Sequence, residues 1–171
     1  MSAQLAAHRR ALTIREKALG PAHSSVAVAL NDIGSLFSLQ GKHDQALDYY
    51  RRALAIREKA LGPEHPSLSS DLTGIGKEYV NLHLARKAIG PLERSLSLGE
   101  KKPGGRIFLA NTRFALARAL KDSGRDLNRA LQLASLAHDA YAADGVPSSG
   151  QLAEVDEWLR ASRKGSKAIG W

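Results

Sequence analysis

The chain has 171 residues, of which 43% are hydrophobic but only 5% aromatic, and it carries 25 Lys/Arg against 17 Asp/Glu with no cysteine. That length suits one domain with its own core, and its Leu- and Ala-rich, β-branch-poor composition points to helix over sheet. The absence of cysteine excludes disulfides and thiolate metal sites and permits a reducing compartment, while the net charge of +8 favours acidic partners.

The N-terminal stretch MSAQLAAHRRALTIREKAL is too interrupted by charge for a signal peptide, and no later segment is apolar enough to span a membrane. A soluble, cytoplasmic protein is the expectation. Residues 2–19 read as one helix with Leu5, Leu12, Ile14 and Leu19 on an apolar face. Its closing phrase, ALTIREKALGP from Ala11, returns as ALAIREKALGP from Ala53 and, degraded, as SLSLGEKKPGG from Ser95, an offset of 42 residues. The same offset aligns Leu30, Ile33, Gly34 and Phe37 with Leu72, Ile75, Gly76 and Tyr79, then with Phe114, Ala117, Arg118 and Lys121. It also aligns Ala46, Ala88 and Ala130.

Each unit reads as two helices. Val28, Leu30, Ile33 and Phe37 fall at helical spacing, QGKHD from Gln40 supplies a turn, and a second helix runs from about Asp44 to Leu61. Gly62 can take the left-handed cap and Pro63 cannot continue the helix, whereas Pro66 and Ser67 suit the opening of the next. The resulting boundaries are an unpaired second helix at 1–20 and helix pairs at 24–62, 66–103 and 106–143. A break at GVPSSG from Gly145 then precedes a helix at 150–164 with Leu152, Val155, Trp158 and Leu159 on one side, followed by a tail at 165–171. Pro91 predicts a local irregularity in its helix without a break. In the third pair Ala117, Arg118 and Lys121 replace the Ile-Gly and Tyr positions, so looser packing between its helices is expected.

Leu30, Ile33-Gly34, Phe37, Ala46, Tyr50 and Ala53 form a pattern that resembles the tetratricopeptide (TPR) family. The period, against roughly 34 for the ordinary repeat, and the phrase ALAIREKALGPEHP are similar to the kinesin-light-chain type. The resemblance implies an all-α fold, a right-handed α-solenoid of antiparallel helix pairs with a C-terminal capping helix, serving as a protein–protein interaction module and not an enzyme. It also implies that the first helices line a concave, peptide-binding groove, faced by Asn31 and Ser35, Thr73 and Lys77, and Ala115 and Ala119. Ser38, Asn81 and Thr112 extend this polar stripe. Asn31 matches an asparagine that in the family hydrogen-bonds the backbone of an extended peptide, whereas Ala115 and Ala119 do not suit the family's carboxylate clamp. A second resemblance, of AHDAYAADG and LAEVDEWLR to the C-terminal TPR region of bacterial serine/threonine kinases, implies a regulatory segment of a larger signalling protein acting by self-assembly. No kinase motif is present in the chain.

Catalytic and metal chemistry find no support in the motifs. GIGKEY from Gly74 has Asp71 where a phosphate loop needs glycine, and Glu78 where it needs Ser or Thr. His23 and His65 occupy the same connector position in successive repeats and have no second ligand at i+3 or i+4, so capping is their expected role and no metal or cofactor is expected. No serine sits in a Gly-x-Ser-x-Gly turn.

Residues 86–129 hold eleven Lys/Arg against four Asp/Glu. Arg86, Lys87, Arg113, Arg118, Arg125 and Arg129 are therefore expected to form a basic patch for an acidic protein or peptide. Nucleic acid is disfavoured, because no aromatics interleave with these cations. The helix at 1–19 lacks a partner helix, which makes a homodimer through Leu5, Leu12, Ile14 and Leu19 a further expectation.

Overall fold

The computed structural model describes residues 3–101, 105–145 and 148–168, with side chains as far as Lys164. Among these residues there are eight α-helices and no strand: α1 (Ala3–Leu19), α2 (Ser24–Leu39), α3 (His43–Leu61), α4 (Ser69–Asn81), α5 (Ala85–Glu100), α6 (Arg106–Asp122), α7 (Leu127–Asp144) and α8 (Ser149–Ala168). The pairs α2–α3, α4–α5 and α6–α7 are helical hairpins, α1 packs on α2, and α8 packs on α7. Because α4 also touches both α2 and α6, the first helices of the hairpins form a continuous inner layer of an all-α solenoid.

The helix boundaries follow from local chemistry. His23 and His65 each accept a hydrogen bond at Nδ1 from the backbone amide two residues on, of Ser25 and Ser67, both at 3.2 Å. Each thereby satisfies a donor that the following helix or turn leaves open. Gly62 closes α3 at φ 85°, as its place after the repeated phrase predicts. Pro91 lies inside α5, which continues through it. The expectation of a tail from 165 is corrected as far as Ala168, since α8 runs on to that residue. Gly165 disfavours helix by only about 1 kcal/mol and no proline follows it to stop propagation; residues 169–171 lie outside the described residues, as do 102–104 and 146–147.

The hairpins close through matched side-chain sizes. A β-carbon on Gly34 of α2 would sit 3.0 Å from the Tyr50 ring, and one on Gly74 of α4 would sit 2.8 Å from it, so the ring is wedged between two glycine surfaces. One repeat on, a β-carbon on Gly76 would lie 2.3 Å from Leu92 Cγ. The 42-residue offset that carries Gly34 to Gly76 and Tyr50 to Leu92 carries them onward to Arg118 and Ala134. A larger residue on the first helix thus corresponds in register to a smaller one on the second, and the expected loosening of the third hairpin does not occur. Ala110, Ala117, Ala119, Ala130 and Ala134 are all fully buried there, which brings α6 and α7 close together.

Buried polar groups tie one hairpin to the next. Arg57, in the repeated IREK phrase, donates to Asp71 Oδ2 at 2.5 Å, and Asn31 Nδ2 donates to Asp71 Oδ1 at 2.6 Å. Glu78 accepts from Ser38 at Oε1 and meets His43 Nδ1 at Oε2, both at 2.6 Å. Both carboxylates are fully buried on α4, and their partners lie on α2 and α3. Between α4, α5 and α6, the Thr73 hydroxyl lies 2.7 Å from Ser95 Oγ and 2.9 Å from Thr112 Oγ1, while Ser95 donates to the Ser69 carbonyl at 2.8 Å. Arg15, the counterpart of Arg57, has no carboxylate here because the position equivalent to Asp71 is Ala29; it donates to the Ser25 carbonyl at 3.2 Å.

Two stability measurements follow from this packing. Gly76→Ala drives a methyl group into Leu92 and is expected to cost about 1–3 kcal/mol, whereas Leu92→Ala alone costs about 2–5 kcal/mol. In the double variant the new methyl enters vacated space and alanine favours helix, so urea unfolding should show it to be more stable than Leu92→Ala alone.

Burial pushes the Asp71 carboxyl above its ordinary range, against the opposing pull of Arg57 and Asn31. Such a group holds more protons folded than unfolded, so its contribution to stability is greatest below the unfolded pKa and falls as pH rises. Arg57→Met removes the countercharge and enlarges that shift. The variant is expected to lose about 3–5 kcal/mol near neutral pH and to recover part of the deficit as pH falls through the acidic range. Urea titrations at neutral and acidic pH check this, and a pH-independent deficit would show that Asp71 is not the group left exposed to the change.

Candidate functional site

The inner layer of α2, α4 and α6 divides into a half whose polar groups are engaged internally and a half where cations meet a cleft. In the first half, Asn31 is held by Asp71 and Ser38 by Glu78. Ser35 is exposed and lies 3.1 Å from the Tyr50 hydroxyl while donating to the Asn31 carbonyl. Thr73 and Thr112 are buried in the hydroxyl chain with Ser95, and Ala115 and Ala119 are buried as well. Of the residues expected to face an open groove, Thr73 and Thr112 are buried, whereas Asn31 and Ser38 stay partly exposed while bonded across the repeat boundary. Lys77 is exposed, and Asn81, at the end of α4, is partly so.

The second half holds a cleft of about 140 Å³ between α4, α6, α7 and α8. Val80, Phe114 and Ala115 give it an apolar lining, and Lys77, Asn111, Arg118, Tyr141, Gln151 and Glu154 supply polar groups. Tyr141 donates to Asn111 Oδ1 at 2.9 Å. Burial pushes its phenol up to about 12, which keeps it a donor throughout the neutral range. Arg118 Nη1 lies 3.6 Å from Glu154 Oε1, a half-exposed ion pair between α6 and α8. Lys77 has no such acid partner among the described residues. Two cations, an amide-bearing rim and an apolar floor suit an extended segment that offers carboxylates and backbone groups.

Of the six cations expected to form one basic patch, three are paired with acids. Arg113 pairs with Glu100 at 3.5 Å, Arg129 with Glu93 at 2.7 Å, and Arg118 with Glu154. Arg86 and Lys87 instead line a separate shallow hollow at the α4–α5 turn, together with His83 and Asp122, and Arg125 is exposed in the α6–α7 turn. The side chains of α1 expected to pair with a second copy are also split. Leu5 and Leu12 are buried in the core formed with α2 and α3, whereas Ile14 is 66% and Leu19 49% exposed. Arg10 and Lys17 flank Ile14, so this strip presents one sign of charge to any copy of itself.

Asn111, Tyr141, Gln151 and Glu154 are cleft residues that sequence reasoning missed. Gln151 and Glu154 belong to a helix outside the 42-residue period, so no repeat position points to them. In the sequence Asp71 and Glu78 stand out only as residues that spoil a phosphate loop, although two acids on α4 among apolar positions are the signal of a buried carboxylate joint. Among the described residues no three His, Asp or Glu side chains come together as metal ligands, and no helix is long and apolar enough to cross a membrane.

Comparison with known proteins agrees with this architecture. The crystal structure of BtubC (BKLC) from P. vanneervenii is similar, with a TM-score of 0.68 and 22% identity over 81% of this chain and 56% of that one. The chain thus spans little more than half of that protein's length. The nearly identical TPR-like repeats of a Podosopora anserina kinesin-light-chain candidate are similar too, with a TM-score of 0.66 and 18% identity over 95% of this chain and 86% of that one. A point variant of the same repeats gives a TM-score of 0.66 over 96% and 87% of the two chains, at 18% identity. These likenesses show the fold. No curated protein matches the sequence. The tetratricopeptide repeat family model matches residues 5–59 and 40–101, more than half of the chain. With its stacked hairpins and this match, the chain belongs to the tetratricopeptide repeat family.

Proposed function

We propose that this chain is a protein-interaction module that takes an acidic segment of a partner protein into the cleft between α4, α6 and α8. Tetratricopeptide repeats mediate protein–protein interaction on a fold that is typically a non-catalytic scaffold. The observation that carries the finer reading is Lys77, an exposed cation without an acid partner among the described residues, at a cleft that also contains Arg118. Its ammonium is free to meet a carboxylate, and Asn111 and Gln151 can hydrogen-bond the backbone beside it. Val80 and Phe114 offer apolar contact to the intervening side chains.

A fluorescein-labelled decapeptide of alternating glutamate and glycine tests this. It is expected to bind the wild type, and Lys77→Ala should weaken it by about two- to fivefold, the range for one exposed charge contact. Melting should stay unchanged, because Lys77 packs against nothing it would leave empty. Affinity should also fall as salt rises, since exposed charges are screened beyond about 8 Å at physiological ionic strength. Equal affinity in Lys77→Ala, or no binding by the wild type, would sink the cleft as the site.

A further inference from the structure

The cleft already contains a carboxylate of its own. Glu154 projects from α8 to Arg118 on α6, with 59% of its side chain and 35% of that of Arg118 exposed. Its neighbours on the helix have other duties: Val155 and Leu159 are buried in the core, and Trp158 meets Phe114 edge-to-face under Lys121. These apolar contacts seat α8, and the half-exposed Arg118–Glu154 pair adds little to them, as is usual for ion pairs in contact with water. Asp156 faces the other way, with Oδ1 3.4 Å from His138 on α7. Glu154 is thus the one acid among the cleft-lining residues, held against one of its two cations.

We propose that Glu154 is a built-in competitor for the ligand: it occupies Arg118 in the free protein, and an acidic segment binds by displacing it. This rests on the cleft being the acidic-segment site. Binding at Arg118 is then an exchange of one carboxylate for another, whereas binding at Lys77 creates a new ion pair. A segment with one acid takes the new ion pair at Lys77 untouched by the competitor, whereas a second acid at Arg118 only replaces Glu154 and adds little. The competitor thus lowers the affinity of segments that reach both cations and narrows their advantage over segments that reach Lys77 alone.

The experiment uses the whole chain and the glutamate–glycine decapeptide, with affinity measured against salt concentration and melting followed in parallel. Glu154→Gln should tighten binding by about two- to fivefold, the worth of the exposed pair it removes. It should also steepen the salt dependence, because Arg118 then gains an ion pair where it previously only exchanged one. Glu157→Gln, an equal charge change on an exposed part of the same helix, should leave affinity unchanged. In an Arg118→Gln background the gain from Glu154→Gln should vanish, the coupling expected of groups that act as a pair. Unchanged or weaker binding by Glu154→Gln, with the Lys77→Ala loss retained, overturns the competitor while leaving the cleft in place. An equal gain from Glu157→Gln overturns it in favour of net charge alone, and a melting loss without an affinity gain overturns it in favour of a role in seating α8. A wild type that does not bind the peptide overturns both the competitor and the cleft.

Discussion

The Tyr50 ring sets the distance between α2 and α4, and most of the inner surface depends on that distance. A glycine in mid-helix costs about 1 kcal/mol relative to alanine, yet Gly34 and Gly74 are the residues that let the ring lie flush against two helices at once. An aromatic side chain that buries on the order of 150–250 Å² more than offsets two such positions. Its hydroxyl reaches Ser35, and burial raises its pKa so that it remains neutral. With the helices held this close, Asn31 and Ser38 come within 2.6 Å of carboxylates forty residues away.

Charge is spent differently on the two sides of the solenoid. On the second helices Glu58 pairs with Arg94 and Glu93 with Arg129, each pair joining successive hairpins at 2.6–2.7 Å. Such half-exposed links contribute roughly 0–1 kcal/mol each, but they neutralise cations that a residue count assigns to partner binding. The local excess of Lys and Arg therefore says little about where an anion would dock. Lys77 lies outside the most basic segment and has no acid partner among the described residues, while its neighbour in sequence, Glu78, is buried against Ser38 and His43.

The fold was legible because its signals are periodic. The repeated phrase ending in Gly62, the apolar spacing of α2 and the His23 and His65 connectors each act within a few residues, and each produces the element expected of it. The inner surface was less legible. Side-chain exposure there depends on contacts between helices forty residues apart, and nothing local to Asn31 or Thr73 announces Asp71 or Ser95. Arg118 illustrates the limit: read along its own helix it is a misfit in a glycine position, and only the fold shows it partly exposed beside Glu154 of α8. Leu5 and Leu12 differ from Ile14 and Leu19 for the same reason, since one apolar stripe on α1 is shared between a neighbour and solvent.

The size-matched pairs at the hairpin contacts bear on assembly order. Repeats that share a phrase as long as IREKALGP invite pairing between the wrong copies while the chain folds. The contacts of Gly34 with Tyr50 and of Gly76 with Leu92 differ in size and disfavour that exchange. A smaller side chain in place of the Tyr50 ring would leave Gly34 facing a void, and a ring in place of Leu92 would overfill the space above Gly76. Each hairpin thus carries a lock cut for its own key, and the repeats of this chain are similar in sequence without being interchangeable in place.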